Sequence, residues 1–306
     1  MDFASGRGLR LAPTLGWPKP SGMTVSQVIQ RSTEFLARHG VESARLHAEL
    51  MLAHVLQMPR LQLYLNFDRV LTDTELDALR AMVKRRSARE PLQHILGLTN
   101  FCGLDLEVNR DVLVPRPETE LLAERACSVL AGMAGANPVV LDFGTGSGCL
   151  AVVIATRFPV AQVHATDVSE PALTVARRNA ARHGVAERIQ FHRADGLATL
   201  PPELRFDLLV SNPPYIPTAQ IASLQPEVRD HDPHVALDGG PDGLRFFRLL
   251  AAEAPAFLKP GAVAALEFGD GQAAAVQALF QAHGWQIMAV EPDEAGTPRL
   301  LVARRA

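Results

Sequence analysis

From Thr24 onward, apolar positions recur at helical spacing. Thr24 and Gln27 form a capping-box pair, and Val28, Ile29, Phe35 and Leu36 mark a helix that stops near Gly40. A second stripe, Leu46, Leu50, Ala53 and Val55, predicts a helix from Glu42 or Ser43 to Gln57, with Pro59 as its stop. Thr72 and Glu75 open a third, carrying Leu76, Leu79, Met82 and Val83 and closing on Lys84, Arg85 and Arg86. Residues 24–90 therefore read as a small helical domain, preceded over 1–23 by a Gly- and Pro-rich flexible leader with no period. After Glu90 the period shortens to two. Leu104, Leu106 and Val108 alternate with Asp105, Glu107 and Asn109, so 91–117 reads as a β-hairpin linker.

Residues 118–306 alternate strand and helix. Strands are predicted at 139–143, 161–167, 189–193, 206–211 and 262–268, and helices at 118–130, 149–158, 171–183, 246–257 and 271–283. The alternation predicts an α/β domain with a mostly parallel sheet covered on both faces. The last two strands, 285–290 and 299–302, have no helix between them and must form an antiparallel hairpin, which a dehydrogenase sheet does not have.

Composition narrows the picture. In 306 residues, 30 Lys+Arg stand against 33 Asp+Glu for a net charge of −3, so there is no general basic excess to hold a phosphate backbone, and no stable nucleic-acid binding is expected. Cys102, Cys127 and Cys149 are an odd, scattered set, expected to be reduced thiols with neither a disulfide framework nor a zinc site. Apolar runs fall short of a membrane span, and the first 22 residues lack the apolar middle of a signal peptide. A cytoplasmic monomer without a bound metal is the expectation.

The chemistry lies at strand ends. Asp142-Phe143-Gly144-Thr145-Gly146-Ser147-Gly148 joins a buried strand to a helix, where glycines allow a tight turn and free N–H groups face an incoming ligand. Asp167 closes the next strand, and its carboxylate suits a pair of ribose hydroxyls. The glycines follow G-x-G-x-G, not the dinucleotide pattern G-x-G-x-x-G, and so resemble class I S-adenosylmethionine-dependent methyltransferases. Asp195, with Gly196, follows the third strand and either accepts a hydrogen bond from an adenine amine or caps the following turn. Asn212-Pro213-Pro214-Tyr215 ends a further strand. Two prolines stiffen the loop and remove its N–H donors, leaving carbonyls and the Asn212 oxygen as acceptors for a planar –NH2 group, with the Tyr215 ring to pack on it. Such a nitrogen is a poor nucleophile, so orientation is the main help it needs.

Together these motifs resemble methyltransferases that modify planar nitrogen. Glu90-Pro91-Leu92-Gln93-His94-Ile95-Leu96-Gly97, Phe101 and Val112-Leu113-Val114-Pro115-Arg116-Pro117-Glu118-Thr119-Glu120 further resemble the linker of the PrmC/HemK family, whose members methylate the glutamine of the Gly-Gly-Gln loop in peptide-chain release factors. The resemblance runs from about Ser43 to the C-terminus and includes Ala48-Glu49-Leu50 and Gly239-Gly240-Pro241-Asp242-Gly243-Leu244. It implies S-adenosylmethionine bound by Asp142, Gly144, Thr145, Gly146, Ser147, Gly148, Asp167, Asp195, Gly196 and Asn212. It also implies a glutamine pocket of Asn212, Pro213, Pro214 and Tyr215, with Asn212, Pro213 and Tyr215 as the catalytic set, and a helical domain that recognises the substrate protein. Arg116 and Glu118 either approach the methyl donor or form a local clamp, and Glu267, in a strand-end Glu-x-Gly, receives no chemical role. His47 stands where the family commonly has an acid, and Gly196 where some members have Trp.

Other readings stay open at this level. The same pocket suits a ribosomal-protein glutamine or an adenine in nucleic acid, and a non-catalytic binding module would keep the fold without the chemistry. Lys84, Arg85, Arg86 and Arg89 form either a surface for RNA or an acidic partner, or an ordinary helix end. His231 and His234 read as loop residues.

Overall fold

The computed structural model describes residues 22–133 and 137–305, so the leader expected over 1–23 lies almost wholly outside the described residues. Two compact units meet in sequence between Leu96 and Gly97, which assigns the start of the 91–117 linker to the first unit and its hairpin to the second.

The first unit contains α1 (Val25–Arg38), α2 (Ala44–Val55), α3 (Arg60–Leu65), α4 (Asp73–Ser87) and α5 (Leu92–Leu96). Both capping boxes form: Thr24 with Gln27, and Thr72 with Glu75, each satisfy two amides at a helix start. Val28, Leu36, Met51, Leu52, Leu76, Leu79 and Val83 are fully buried in its core. Pro59, read from the sequence as a stop, does follow the end of α2 at Val55 and also occupies the N-cap of α3, where a missing N–H costs nothing. The basic run at the end of α4 folds back on its own unit. Arg85 grips Glu90 at 2.8 and 2.5 Å, while the buried Arg86 donates to His47 Nδ1 at 3.2 Å and to the Glu90 carbonyl at 3.0 Å. A guanidinium only donates, so His47 must carry its proton on Nε2.

The second unit begins with β1 (Leu98–Phe101) and β2 (Leu104–Glu107), an antiparallel pair whose two-residue turn, Cys102-Gly103, has positive φ at both positions. Then follow α6 (Pro117–Ala131), β3 (Val139–Phe143), α7 (Cys149–Arg157), β4 (Gln162–Asp167), α8 (Glu170–Arg182), β5 (Ile189–Arg193), β6 (Phe206–Ser211), α9 (Pro226–Arg229), α10 (Arg245–Glu253), β7 (Leu258–Glu267), α11 (Ala273–Ala282), β8 (Trp285–Pro292) and β9 (Pro298–Arg305). The sheet order is β5-β4-β3-β6-β7-β9-β8, with β3 to β7 parallel and β9 antiparallel to both of its neighbours. It is a Rossmann-like sheet with an antiparallel C-terminal pair, as the periodicity predicts.

Successive residues of β3 serve opposite cores: Val140 joins the layer of α6, α7 and α8, and Leu141 that of α10 and α11. That double burial is why the parallel strands read as unbroken apolar runs. From β3 the sheet is laid down toward β5 on one side and from β6 toward β7 on the other, so the crevice beyond the carboxyl ends of β3 and β6 is the switch point where α/β sheets bind ligands. Among the described residues no helix is long and apolar enough to cross a membrane.

Candidate active site

The glycine loop leaves β3 at this switch point and is held from several directions. Gly144 and Thr145 donate their amides to the Thr166 carbonyl at 2.9 and 2.8 Å. Asn179 on α8, wholly buried, donates to the carbonyls of Ser147 (2.8 Å) and Glu107 (2.9 Å) and accepts the Glu107 amide, which ties the loop to β2. Asp142 lies beneath the loop, 1% exposed, and accepts from the Thr145 hydroxyl at 2.6 Å and the Ala151 amide at 3.2 Å. Burial raises its carboxyl to about 7, against those two donors. Asp167 accepts from the amides of Gly146 and Ser169, both at 2.9 Å, and burial raises it as well. Its remaining lone pairs are available to a ligand.

Above the loop lies a cavity of about 280 Å³, lined by Gly144, Gly146, Asp167, Asp195, Gly196 and Asn212 among others. Its charged lining is Asp111, Asp167 and Asp195 against Arg245 alone, which suits a ligand carrying positive charge. Phe246 closes another side, with the Arg245 guanidinium over its ring at 5.2 Å. Asp142, Thr145, Ser147 and Gly148 do not line this cavity and support the loop from behind.

A second cavity, about 220 Å³, is lined by Leu113, Arg116, Asn212, Pro213, Tyr215 and further apolar residues. The two cavities share Leu113, Asn212 and Ala236. Ser211 fixes the boundary by donating its hydroxyl to the Phe143 carbonyl at 2.7 Å, which couples the ends of β6 and β3. Asn212 Nδ2 donates to Thr119 Oγ1 at 2.9 Å, and Thr119 donates to Glu267 Oε2 at 2.7 Å. Tyr215 is packed against Gly269 and donates its hydroxyl to Glu267 Oε1 at 3.5 Å, while its carbonyl accepts from Gln272 Nε2 at 2.9 Å. Arg116 lines the second cavity and donates to the buried Asp232 at 2.6 Å.

Residues 27–97 match the PrmC N-terminal domain, and residues 120–225 match the methyltransferase small domain. A release factor glutamine methyltransferase from Geobacter sulfurreducens is 44% identical over 286 residues, spanning 94% of this chain and 98% of that relative. This chain belongs to the release factor glutamine methyltransferase family. The relative of that name from Chlorobaculum tepidum is 46% identical over 269 residues, covering 86% of this chain and 91% of its own length. Among solved structures, the hMettl16 catalytic domain in complex with a 3'UTR hairpin shares the fold, with a TM-score of 0.52 at 15% identity over 78% of this chain and 83% of that one.

Within this member of the release factor glutamine methyltransferase family, the geometry gathers Gly144, Gly146, Asp167, Asp195, Gly196, Asn212 and Pro214 around one cavity, and Asn212, Pro213 and Tyr215 around the next. Arg116 belongs to the second cavity and is held by Asp232, 116 residues further along the chain, so its ion pair is long-range and not a clamp within the linker. Leu113 and Ala236 stand in stretches that carry the resemblance but receive no site role from the sequence, and Arg245 and Phe246, at the start of a predicted helix, carry no local signal for one. Sequence reasoning also gave Glu267 and Thr119 no part, although Thr119 stands in the Pro-Arg-Pro-Glu-Thr-Glu stretch and bonds directly to Asn212.

Proposed function

We propose that this chain transfers the methyl group of S-adenosylmethionine to the side-chain amide nitrogen of the glutamine in the Gly-Gly-Gln loop of release factors. Family membership and one observation carry the reading: Asn212 stands in the wall common to two adjoining cavities, one acidic and floored by the glycine loop, the other apolar.

Gly144 and Gly146 let a ligand approach bare backbone, and Asp167 and Asp195 offer it acceptors, so the lining fits the methyl donor. When bound, S-adenosylmethionine supplies an electrophilic methyl on a positively charged sulfur. Asn212 Oδ1 accepts one N–H of the glutamine amide, and the carbonyls of the Pro213-Pro214 segment, which has no N–H to compete, accept the other. Holding both hydrogens aims the nitrogen at the neighbouring cavity and favours pyramidal geometry as its lone pair is used. Tyr215 acts by packing: burial pushes its hydroxyl pKa up and the nearby Glu267 charge adds to this, so the ring remains a neutral wall. No general base is needed, because an amide nitrogen that has gained a methyl releases its proton readily to water.

The test is incubation with tritiated S-adenosylmethionine and, separately, a release factor, its Gly-Gly-Ala loop variant, a ribosomal-protein extract and DNA. Label on the release factor and none on the variant is expected. Equal label on the variant, or label on DNA alone, refutes the assignment.

A further inference from the structure

The two ends of a side-chain amide have nearly the same shape, so something must decide which end of Asn212 faces the acceptor substrate. Its neighbour Thr119 has a single hydroxyl hydrogen, is 2% exposed, and lies within bonding distance of both Glu267 Oε2 (2.7 Å) and Asn212 Nδ2 (2.9 Å). A carboxylate can only accept. While Glu267 is ionised, the Thr119 hydrogen must go to it, and Thr119 has only lone pairs left for Asn212. The amide is then obliged to turn its NH2 to Thr119. Its oxygen is left free, and among the described residues Asn212 Oδ1 takes no hydrogen bond.

We propose that Glu267 and Thr119 are positioning residues that set the polarity of the Asn212 amide, so that methyl transfer requires Glu267 as a carboxylate. This rests on the reading that Asn212 Oδ1 accepts from the substrate amide. If Glu267 takes up a proton on Oε2, it becomes the donor to Thr119. The Thr119 hydrogen is then released toward Asn212, the amide reverses, and an NH2 group faces the NH2 of the substrate. Donor against donor holds no nitrogen in place.

Geometry puts this exchange within reach of ordinary pH. Glu267 is 3% exposed at the end of β7, and burial raises its carboxyl to about 7. Glu118 on α6 raises it further by charge repulsion, while the hydroxyls of Thr119 and Tyr215 and the charge of Arg299 on β9 oppose the rise. Cys149 at the start of α7 feels the same carboxylate, and its thiol is pushed up mainly by burial, with Asp142 and Glu267 adding.

The decisive measurement does not need turnover. In protein labelled with ¹⁵N at Asn and ¹³C at Glu, the Asn212 side-chain NH2 resonance should move with the Glu267 carboxyl carbon through one shared midpoint near pH 7. In Thr119→Val the Asn212 shift should vanish while Glu267 still titrates; in Thr119→Ser, which keeps the hydroxyl, it should return. With release factor as substrate, kcat should rise with pH through the same midpoint. Thr119→Val should lower kcat about five- to tenfold, the net worth of one hydrogen bond, with KM for the methyl donor within about twofold, and Thr119→Ser should recover most of the loss. An Asn212 resonance indifferent to Glu267, or equal loss in Thr119→Val and Thr119→Ser, overturns the relay. Shared titration in an enzyme that does not label release factor would uphold the relay and reject the substrate assignment instead.

Discussion

Two glycines of one loop should fail in different ways when given a methyl group. Gly148 is the N-cap of α7 with φ +81°, and a Cβ there would lie 3.0 Å from the Cβ and 3.1 Å from the Cα of Ala176 on α8. Backbone on a packed helix cannot step aside. Gly148→Ala therefore combines left-handed strain of about 1–2 kcal/mol with overpacking of about 1–3 kcal/mol, less the ~0.4–1 kcal/mol that alanine gains by restricting the unfolded chain. The net loss is about 2–4 kcal/mol, which for a unit of this size lowers Tm by about 5–15 °C. Gly146 has φ +55° and nothing within 4 Å of a Cβ, yet it lines the acidic cavity. Gly146→Ala should cost about 1 kcal/mol of stability while weakening S-adenosylmethionine binding, because the new methyl stands where ligand meets backbone. Urea and thermal unfolding by circular dichroism, beside isothermal titration with the methyl donor, separate the two effects. A Gly148→Ala protein as stable as the parent, or a Gly146→Ala protein that binds normally, would contradict the assignment of one glycine to packing and the other to the ligand.

Asn212→Ala should reduce methyl transfer by more than about tenfold, since one oriented hydrogen-bonding group is worth about 10²–10³ in related electrostatic roles; single-turnover rates and donor affinity, measured together, should show the rate falling much further than binding. A second outcome concerns acid. His164, 3% exposed on β4, faces His192 on β5 with 2.9 Å between ring nitrogens, and burial, with the neighbouring ring's charge, lowers it to about 4 from the usual 6.5. The unfolded chain therefore binds more protons than the folded one between those values. Stability is complete above about pH 6.5 and is lost as pH falls toward 4. His164→Gln should flatten the urea midpoint between pH 7 and 5, and an unchanged decline would locate the acid sensitivity elsewhere.

What the sequence shows plainly is what is local. The glycine loop and Asn212-Pro213-Pro214-Tyr215 each end a strand whose apolar run is unmistakable, and β3 and β6 turn out to be adjacent at the switch point. The final strands declare an antiparallel pair because no helix separates them, but β9 lies between β7 and β8, an order set by long-range pairing that periodicity does not encode. Short elements hide for a different reason. The 3-10 turn Thr218–Ser223, α9 and the turn His234–Ala236 are too brief for a hydrophobic period, yet this stretch supplies Leu224, Val228 and Ala236 to the second cavity. Thr119 and Glu267 are 148 residues apart, and Asn179 reaches Glu107 across 72, so their bonds appear only once the sheet is assembled.

The lining of the second cavity also bears on the choice between a protein amide and a base as the proposed acceptor. The fold alone is silent, since a structure of the same fold is described in complex with a 3'UTR hairpin. A base turned out of its strand brings phosphates that require free Lys or Arg nearby. Among the described residues lining this cavity the one cation is Arg116, and it is already bonded to Asp232. The rest of the wall is chiefly apolar, with Leu113, Ile216, Leu224, Val228 and Leu237 lining the same cavity as Asn212. Apolar walls that include one amide acceptor suit a glutamine side chain, two methylenes and then an –NH2, and offer a sugar-phosphate little. The apolar lining thus adds to family membership in support of the proposed glutamine acceptor, while the Asn212 amide by itself would serve the nitrogen of glutamine or of adenine alike.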